Sequence, residues 1–535
     1  MLDAHRDVFT TLFQRALSAA QMGELEAAAE LFGQAVMLEP THAAAHANRG
    51  AVLAELGRWP GALESFERAI MLMADYAAAH CNRGNALKEL GRPQDALASY
   101  GRAIEAQPDL AAAHSNRGNL LRCLGRWEEA LAGLDRAIAV QPGLAEAHLN
   151  RGIVLKELNQ PQAALASYDR AIAIKGDYPE AFCNRGIVLQ ELGRIDAALA
   201  SFDRAIALRP DFAEARFNRS MALLMVGDFA RGWSEYEWRW KTRPRAAADG
   251  GEGFRDRSPW LGTESLSGKT ILLWCEQGLG DTLQFCRYAK PVSDLGARVI
   301  LQVQRPLLGL LRGLEGVAQL LAPGDPLPAF DHHCPLLSLP LALRGYLPAI
   351  PAQVPYLAAG ADKAEFWRVK LGPHSKRRVG LVWSGGFRAD QPELWTVNSR
   401  RNIPLARLEP LGHADVQFFS LQKGEPARAE LEDLPSKNWR GSPIIDLTEH
   451  LEDFADTAAL IEQLDLIISV DTSTAHLAGA LGKPVWILNR FDTCWRWLQE
   501  RPHTHWYPTA RLYRQARPGD WEDVIQRVSG DLARL

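Results

Sequence analysis

The chain has 535 residues, of which 47% are hydrophobic and 23% are charged, and its formal net charge is -4. This length exceeds what one hydrophobic core supports, so two or more domains are expected. The slight negative charge argues against a general nucleic-acid binder, and no apolar run reaches the ~18 residues of a membrane helix. Seven scattered cysteines without a C-x-x-C pair, and an N-terminus without an apolar signal segment, predict a cytoplasmic protein.

A 34-residue repeat organises the first part of the chain. The tripeptide Asn-Arg-Gly recurs at this interval, and a Gly-Arg break such as the one at Gly57 follows it in most units. A residue that accepts positive φ after a run of apolar period 3.6 ends a helix, so each unit is predicted to be a helix, a turn and a second helix. The small and large positions, such as Gly50 and Phe66, resemble the tetratricopeptide repeat (TPR). We predict a TPR superhelix of about seven repeats over residues 1–242, the last one degenerate.

The asparagines of the repeated tripeptide form a row. They are Asn48, Asn82, Asn116, Asn150, Asn184 and Asn218. In the TPR fold this side of the first helix lines the concave groove, so the six amides are predicted to bind the backbone of an acceptor peptide. The alternative is that asparagine is simply common at this position of ordinary repeats.

Four histidines, His46, His80, His114 and His148, also recur every 34 residues. Neighbours on stacked helices lie ~10 Å apart and cannot share one metal ion. The histidines are therefore predicted to be packing residues rather than metal ligands.

Residues 243–258 lose the repeat and form a predicted linker. Beyond them, short apolar runs alternate with helical stretches, the pattern of a parallel sheet. The first run, residues 270–275, leads into the turn Gln277-Gly278-Leu279-Gly280-Asp281. This spacing is not the G-x-G-x-x-G fingerprint, so NAD is not indicated. A first lobe is predicted over residues 259–357.

A second lobe is predicted over residues 358–535. Its first strand ends in Ser384-Gly385-Gly386, and a later strand, residues 466–470, leads into a helix that begins with Asp471, Thr472, Ser473 and Thr474. Hydroxyls and free N–H groups at a helix N-terminus form an anion site.

The segment from Asp471 to Gly482 resembles the D-[TS]-x-x-x-H-L-A-x-A-[LM]-G signature of heptosyltransferase-like enzymes, and the 277–281 turn is similar to their N-terminal G-D turn. The resemblance implies a GT-B domain of two Rossmann-like lobes after the TPR solenoid. The full layout resembles bacterial repeat-containing glycosyltransferases. It is also similar to protein O-GlcNAc transferases, which carry an Asn ladder, and to flagellin-modifying enzymes.

The resemblance implies roles for the two turns. Asp281 would be the catalytic base, Asp471 would contact the donor sugar, and His476 would reach the phosphate or act as acid/base. The diphosphate would be held by Thr472, Ser473 and Thr474. The alternatives are that both aspartates only cap their helices and that His476 is a buried, hydrogen-bonded residue.

Further donor contacts are predicted at Gly278 and Gly280, and at Ser384 and Gly385, where a strand ends. Arg401 would neutralise the leaving phosphate, with a solvated basic loop as the alternative. The run Trp495-Arg496-Trp497 either stacks a nucleobase or packs in the core.

The chain contains no D-x-D motif, so no metal and no cofactor are predicted besides a nucleotide-sugar co-substrate. The predicted function is transfer of a sugar to a protein acceptor, flagellin or another surface protein, bound in the TPR groove. One alternative is an enzyme acting on lipopolysaccharide or another glycan. The other is a non-catalytic scaffold with a degenerate GT-B domain. No nucleic-acid partner and no membrane span are expected.

Overall fold

The computed structural model describes residues 2–242, 254, 257–345, 350–386, 395–434, 439–499 and 501–535. Two compact units are present. The first comprises the residues up to Leu192 together with Ala200–Pro210, and the second comprises Gly193–Leu199 and Asp211–Leu535.

Helices in sequential pairs make up the N-terminal part of the chain. In chain order they are α1 (Leu2–Gln21), α2 (Leu25–Leu38), α3 (Ala43–Glu55), α4 (Trp59–Leu72), α5 (Ala77–Glu89), α6 (Pro93–Ala106), α7 (Ala111–Cys123), α8 (Trp127–Val140), α9 (Ala145–Glu157), α10 (Pro161–Ile174), α11 (Pro179–Glu191), α12 (Ile195–Leu208), α13 (Ala213–Met225), α14 (Phe229–Tyr236) and the short α15 (Arg239–Thr242). The seven pairs from α1 to α14 confirm the predicted helical solenoid of about seven repeats.

The turn within each repeat follows from one residue with positive φ. Gly57 has φ 71°, and Asn159, which replaces glycine at the same place in its repeat, has φ 57°. Glycine and asparagine tolerate this left-handed region better than other residues. Every break predicted from the sequence shows this conformation, so the predicted helix ends are confirmed.

Packing within a repeat depends on a small residue facing a large one. A Cβ atom added to Gly50 in α3 would lie 2.7 Å from the ring of Phe66 in α4, and Phe66 is fully buried. The ring thus occupies space that only glycine leaves open, which fixes how closely the two helices approach. The same relation joins Gly84 to Tyr100.

The repeated histidines pack as predicted. Nε2 of His46 lies 3.1 Å from the carbonyl oxygen of Pro40, and His80, His114 and His148 make the same bond six residues back. Burial is the main reason that the pKa of His46 and of His148 is lowered. The rings therefore tie the first helix of a repeat to the loop before it.

The last helix pair belongs to the second unit. In α14, Trp233 is buried, with its ring edge-on to Trp495 at a centroid distance of 5.1 Å. The compact second unit thus resumes at Asp211, whereas the sequence placed the domain boundary after residue 242. Most of the predicted linker lies outside the described residues, but Phe254 is buried in a cluster with Trp274.

A four-stranded parallel sheet follows. Its elements are β1 (Thr270–Trp274), α16 (Leu279–Phe285), α17 (Ala289–Asp294), β2 (Arg298–Gln302), α18 (Leu308–Leu311), β3 (Val317–Leu321), β4 (His332–Pro335) and α19 (Leu339–Ala342). The strand order is β3-β2-β1-β4. The order reverses beside β1, and a ligand crevice in such sheets lies beyond the carboxyl end of the strand at the reversal.

A six-stranded parallel sheet forms the rest of the second unit. Its elements are α20 (Ala361–Leu371), β5 (Arg377–Val382), α21 (Trp395–Arg401), β6 (Val416–Ser420), α22 (Ala427–Asp433), β7 (Ile445–Asp446), α23 (Phe454–Glu462), β8 (Leu466–Val470), α24 (Ser473–Ala480), β9 (Val485–Asn489), β10 (Ala510–Arg514) and α25 (Trp521–Leu532). The order β10-β9-β8-β5-β6-β7 reverses between β5 and β8. The predicted parallel sheets with helices are confirmed, and the predicted turns at Ser384 and Asp471 leave the two strands at this reversal.

Candidate functional site

The turn after β1 is closed by Asp281. Its Oδ2 accepts a hydrogen bond from the backbone N–H of Gly278 at 2.9 Å, which caps α16. Its Oδ1 pairs with the guanidinium of Arg496. Both carboxylate oxygens are thus engaged, one by the helix cap and one by a cation.

The turn after β8 presents the predicted hydroxyls. Oγ1 of Thr472 lies 3.0 Å from Oγ of Ser469, so this hydroxyl is bonded back to the strand. α24 begins at Ser473, which is half-buried, whereas Thr474 is buried. The side chain of Asp471 keeps 19% exposure at the head of the helix.

The two turns are in contact. A Cβ atom added to Gly280 would lie 2.9 Å from Cδ2 of His476 and 3.4 Å from Cα of Ser473. Only a residue without a side chain lets α16 approach α24 this closely. The structure therefore brings together the G-L-G-D turn and the D-T-S-T turn, which lie far apart in the sequence.

His476 is buried at this contact. Its Nδ1 lies 2.9 Å from the hydroxyl of Tyr507, and its Nε2 lies 4.0 Å from Oδ1 of Asp471. Burial is the largest influence on its pKa, which is lowered to about 3. Asp471 opposes the shift, whereas the cations Arg496 and Arg287 add to it. The imidazole is thus neutral near neutral pH and does not add a cation to the site.

The end of β5 is joined to the end of β8 by Arg401. Its Nη1 donates to the backbone oxygen of Asp471 at 2.8 Å, and its Nη2 donates to Oδ1 of Asn398 at 2.5 Å. A Cβ atom on Gly385 would overlap Nη2, so the guanidinium lies in the space that this glycine leaves.

The backbone N–H of Gly385 itself donates to Oδ1 of Asn402 at 2.8 Å. Ser384, predicted with Gly385, is buried, and its N–H donates to Gln422.

Arg496 was missed by sequence reasoning as a site residue. Besides Asp281, its guanidinium binds Oε1 of Gln284 at 2.8 Å and lies 4.3 Å from the ring centroid of Trp495. Trp495 and Trp497 are almost fully buried, which favours core packing over nucleobase stacking for this run. The sequence showed an arginine between two tryptophans but gave no indication of its acidic partner 215 residues away.

A second missed group follows β9. The carboxylate of Asp492 forms ion pairs with Arg400 at 3.1 Å and with Arg490 at 3.5 Å. Asp492 comes just after a strand, at the carboxyl edge of the sheet, and this position could have marked it as a site residue. Together with Arg401, these residues place three arginines among the segments that follow β5 and β9.

The asparagines of the row differ from repeat to repeat in their hydrogen bonds and in their burial. Asn116 donates to Oδ1 of Asn85 at 3.0 Å, and Asn184 donates to the carbonyl oxygen of Glu180 at 2.8 Å. Asn150 is 5% exposed. Asn48, Asn82 and Asn218 are partly buried. The peptide-binding role of the row stays a prediction, with three of its six amides bonded within the chain or buried.

A groove of about 1280 Å³ lies elsewhere in the second unit, lined by charged residues that include Lys290, Arg312, Lys363 and Asp453. Its described lining contains none of the predicted donor or catalytic residues. The candidate site is thus defined by the two adjoining turns and not by this groove.

Comparison with known proteins identifies the repeats. Tetratricopeptide repeat models match residues 77–110, 109–177 and 179–212, and a TPR repeat model matches residues 52–91. These residues are tetratricopeptide repeats. Such repeats bind peptide or protein partners, so this part of the chain is a protein-interaction module.

Among curated proteins, the chain is similar to Protein FlbA of Caulobacter vibrioides, with 28% identity over 331 residues. The match covers 57% of this chain and 52% of FlbA, so it spans about half of that protein's length.

Two solved structures of TPR proteins are similar to part of this chain. YrrB, described as a TPR protein with an unusual peptide-binding site, has 24% identity over 35% of this chain and 96% of its own, with a TM-score of 0.31. A thermophilic TPR protein of Thermus thermophilus has 27% identity over 34% of this chain and 100% of its own, with a TM-score of 0.29.

None of the helices in the described ranges combines the length and the apolar character needed to cross a bilayer.

Proposed function

We propose that the second unit is a GT-B glycosyltransferase that moves a sugar from a nucleotide-sugar donor to a protein recruited by the repeats. The observation that carries this proposal is the contact between Gly280 and the residues Ser473 and His476. It joins the turns after β1 and β8, each of which leaves a parallel sheet at a reversal of strand order, where α/β sheets bind ligands.

The donor diphosphate would lie at the N-terminus of α24. The backbone N–H groups of Thr472, Ser473 and Thr474 at the helix N-terminus and the half-buried hydroxyl of Ser473 suit an anion. Arg401 supplies a positive charge beside Asp471. Gly278, Gly385 and Ser384 are the neighbouring backbone positions, and Asp471 would contact the sugar. This arrangement neutralises a leaving diphosphate without a metal ion.

The chemical step is an inverting displacement. The oxygen of an acceptor hydroxyl attacks the anomeric carbon, the bond from that carbon to the diphosphate oxygen breaks, and the nucleotide leaves with the bonding electrons. The hydroxyl proton passes to the carboxylate of Asp281, which is paired with Arg496. His476 is a weak base because its pKa is lowered to about 3, so it would orient the donor by a hydrogen bond instead of taking the proton.

The repeats would recruit the acceptor. A row of amides suits the backbone of an extended peptide bound in the groove. The acceptor is expected to be flagellin or another surface protein. The same enzyme acting on lipopolysaccharide or another glycan remains the alternative acceptor, with the repeats binding a partner protein.

A non-catalytic scaffold is supported by one specific observation. Both oxygens of Asp281 are occupied, by the N–H of Gly278 and by Arg496, so a base role requires one of these bonds to open. In the scaffold alternative Asp281 only caps α16 and binds the cation.

The decisive experiment measures the melting temperature of the full chain with a panel of nucleotide diphosphates and nucleotide sugars, followed by donor hydrolysis. A donor is expected to raise the melting temperature of the wild type and to lose this effect in Arg401→Ala. Arg428→Ala is the matched control, because this exposed arginine in the same sheet unit pairs with Glu432 on its own helix. If no nucleotide or nucleotide sugar stabilises the wild type, the enzyme proposal fails.

Measuring donor binding and sugar release for the wild type and for Asp281→Asn distinguishes the glycosyltransferase from the non-catalytic scaffold. If donors bind but neither wild type nor variant releases sugar, the scaffold alternative is correct. Loss of turnover with retained donor stabilisation in the variant supports the base role.

A further inference from the structure

The arginine of the Asn-Arg-Gly tripeptide is held by two partners in several repeats. Arg83 binds Glu67 at 3.0 Å and the hydroxyl of Ser99 at 2.6 Å. Arg151 pairs in the same way with Asp135 and Ser167, and Arg185 with Asp169 and Ser201. In these three cases the acid lies 16 residues before the arginine and the serine 16 residues after it. The guanidinium therefore bridges the second helix of one repeat and the second helix of the next.

Arg117 is the exception. The residue 16 positions before it is Gly101, and the residue 16 positions after it is Gly133. Both partners have thus been replaced by residues without a side chain. In the described part of the chain the partly buried guanidinium of Arg117 makes neither a hydrogen bond nor an ion pair. Gly33 likewise stands where an acid would pair with Arg49, but Ser65 is retained there.

Packing does not require either glycine. A Cβ atom on Gly101, in the interior of α6, would meet no atom within 4 Å. On Gly133, in the interior of α8, its nearest neighbour would be the His114 carbonyl oxygen at an ordinary 3.4 Å. Neither residue has positive φ. Glycine in the middle of a helix lowers the stability of that helix, so these two positions give up stability without a gain in packing.

We propose that Arg117, Gly101 and Gly133 form a docking site for a carboxylate of a partner protein, here called the Arg117 site. The neighbouring repeats show what fits this position. In each of them a carboxylate on the second helix occupies the space beside the guanidinium. At the Arg117 site that space is open, and an aspartate or glutamate of the partner takes the place of the missing internal acid.

The chemistry favours a carboxylate over a neutral group. A guanidinium presents parallel N–H donors that match the two oxygens of a carboxylate, and partial burial reduces competition from water. The serine position is also vacant, so the guanidinium is free to turn toward an incoming group rather than being held on α8. The site thus selects an acidic segment of a protein and fixes its register along the repeats.

The test uses the full chain and a fluorescein-labelled hexaglutamate peptide, with binding followed by fluorescence anisotropy. Gly101→Asp restores the internal acid and is expected to raise the dissociation constant about fivefold or more, while also raising the melting temperature. Arg117→Ala is expected to weaken peptide binding to a similar extent.

Two controls separate the Arg117 site from general charge effects. Gly143→Asp adds the same charge in an exposed turn of a nearby repeat, where a Cβ atom meets nothing within 4 Å, and should leave binding near the wild-type value. Arg185→Ala removes an arginine that already has its internal partners and should also leave binding unchanged.

The proposal is overturned if Gly101→Asp and Gly143→Asp weaken binding equally, because repulsion by net charge would then explain both. It is also overturned if Arg117→Ala binds hexaglutamate as the wild type does. A phosphoserine peptide of matched length that binds more tightly than hexaglutamate, in a manner that depends on Arg117, would overturn the assignment of a carboxylate in favour of a phosphate.

Discussion

The guanidinium of Arg239 forms a two-pronged ion pair with the carboxylate of Glu276, with Nε 2.9 Å from Oε2 and Nη2 3.0 Å from Oε1. Both side chains are almost fully buried, and Arg239 also donates to the hydroxyl of Ser338. The pair joins α15 to the segment that follows β1. A buried pair of this kind holds the two segments together, because separating them would leave each charge buried without a partner, which is strongly unfavourable.

Arg239→Ala is accordingly expected to lower the free energy of unfolding of the second unit by about 3–5 kcal/mol, because it leaves Glu276 buried and uncompensated. Urea unfolding followed by tryptophan fluorescence measures the change. Arg231→Ala breaks an exposed pair with Asp228 in the same helical segment and should cost less than about 1 kcal/mol. Equal effects of the two substitutions would show that the buried pair contributes no more than the exposed one.

Whether the second unit folds on its own should depend on the residue at which an N-terminally truncated fragment begins. A chain that begins at Asp211 keeps Trp233 against Trp495 and the hydroxyl of Tyr236 at 3.0 Å from the amide nitrogen of Gln277. A chain that begins at residue 243 loses these contacts and exposes apolar surface. We expect the longer fragment to be monodisperse with a cooperative melt, and the shorter one to aggregate or melt without cooperativity. Equal behaviour in size-exclusion chromatography and calorimetry would contradict this expectation.

The stability of the second unit should fall in mild acid because of His476. Its pKa is about 3 in the folded chain, against ~6.5 when unfolded, so the unfolded chain binds more protons between these values. This difference removes about 2 kcal/mol by about pH 5. His476→Gln keeps a polar group beside Tyr507 but does not titrate, so its free energy of unfolding should depend less steeply on pH below about 6.5. Parallel pH profiles of variant and wild type would argue against a buried, neutral imidazole.

Gly280→Ala should disturb the contact of the two turns. The new methyl group would lie 2.9 Å from the His476 ring, so α16 and α24 must separate or the ring must move. Overpacking of this kind costs about 1–3 kcal/mol. Gly313→Ala is the control, because its Cβ atom meets no atom within 4 Å. A melting temperature of Gly280→Ala equal to that of the control would show that the contact is loose.

Gly385→Ala should displace Arg401. The methyl group would overlap the guanidinium, whereas the adjacent Gly386 has open space and Gly386→Ala provides a matched control. If a nucleotide sugar stabilises the wild type, Gly385→Ala should reduce this stabilisation as much as Arg401→Ala does. The double variant should add little, because both changes remove the same interaction. Full additivity of the two effects would indicate that Arg401 does not lie where Gly385 leaves room for it.

The solenoid could be predicted in detail because its determinants are local. Each helix end needs one residue that accepts positive φ, as at Gly57, and each helix pair needs one small residue such as Gly50 beside one ring. Both requirements recur every 34 residues, so the repetition itself revealed them. The buried strands β1, β5, β8 and β9 were predictable for a similar reason, since each contains a short and mostly apolar run.

The elements that were missed lack such a pattern. β4 is only His332–Pro335, and β10 is Ala510–Arg514, with arginines at two of its five positions; both are edge strands that pair on one side only. Their strand geometry is imposed by a parallel neighbour and not by their own composition.

The site could be predicted only as separate motifs. Gly280 beside His476, Asp281 on Arg496 and Arg401 on Asp471 are contacts between segments 70 to 215 residues apart. Nothing in the spacing of a single sequence specifies such pairs, because the sheets that bring them together fold through many other residues. The same applies to the division before Asp211, where the repeat pattern continues although the compact unit changes.

Arg401 is attached to position 471 through a main-chain oxygen, not through the aspartate side chain. Every amino acid carries that oxygen, so the arginine keeps its anchor whatever residue stands at 471. Substitutions at position 471 therefore change the carboxylate while the anchor of the positive charge stays in place. If the second unit binds a nucleotide sugar as proposed, a change at this single codon can alter the preference for one sugar over another without displacing the guanidinium of Arg401.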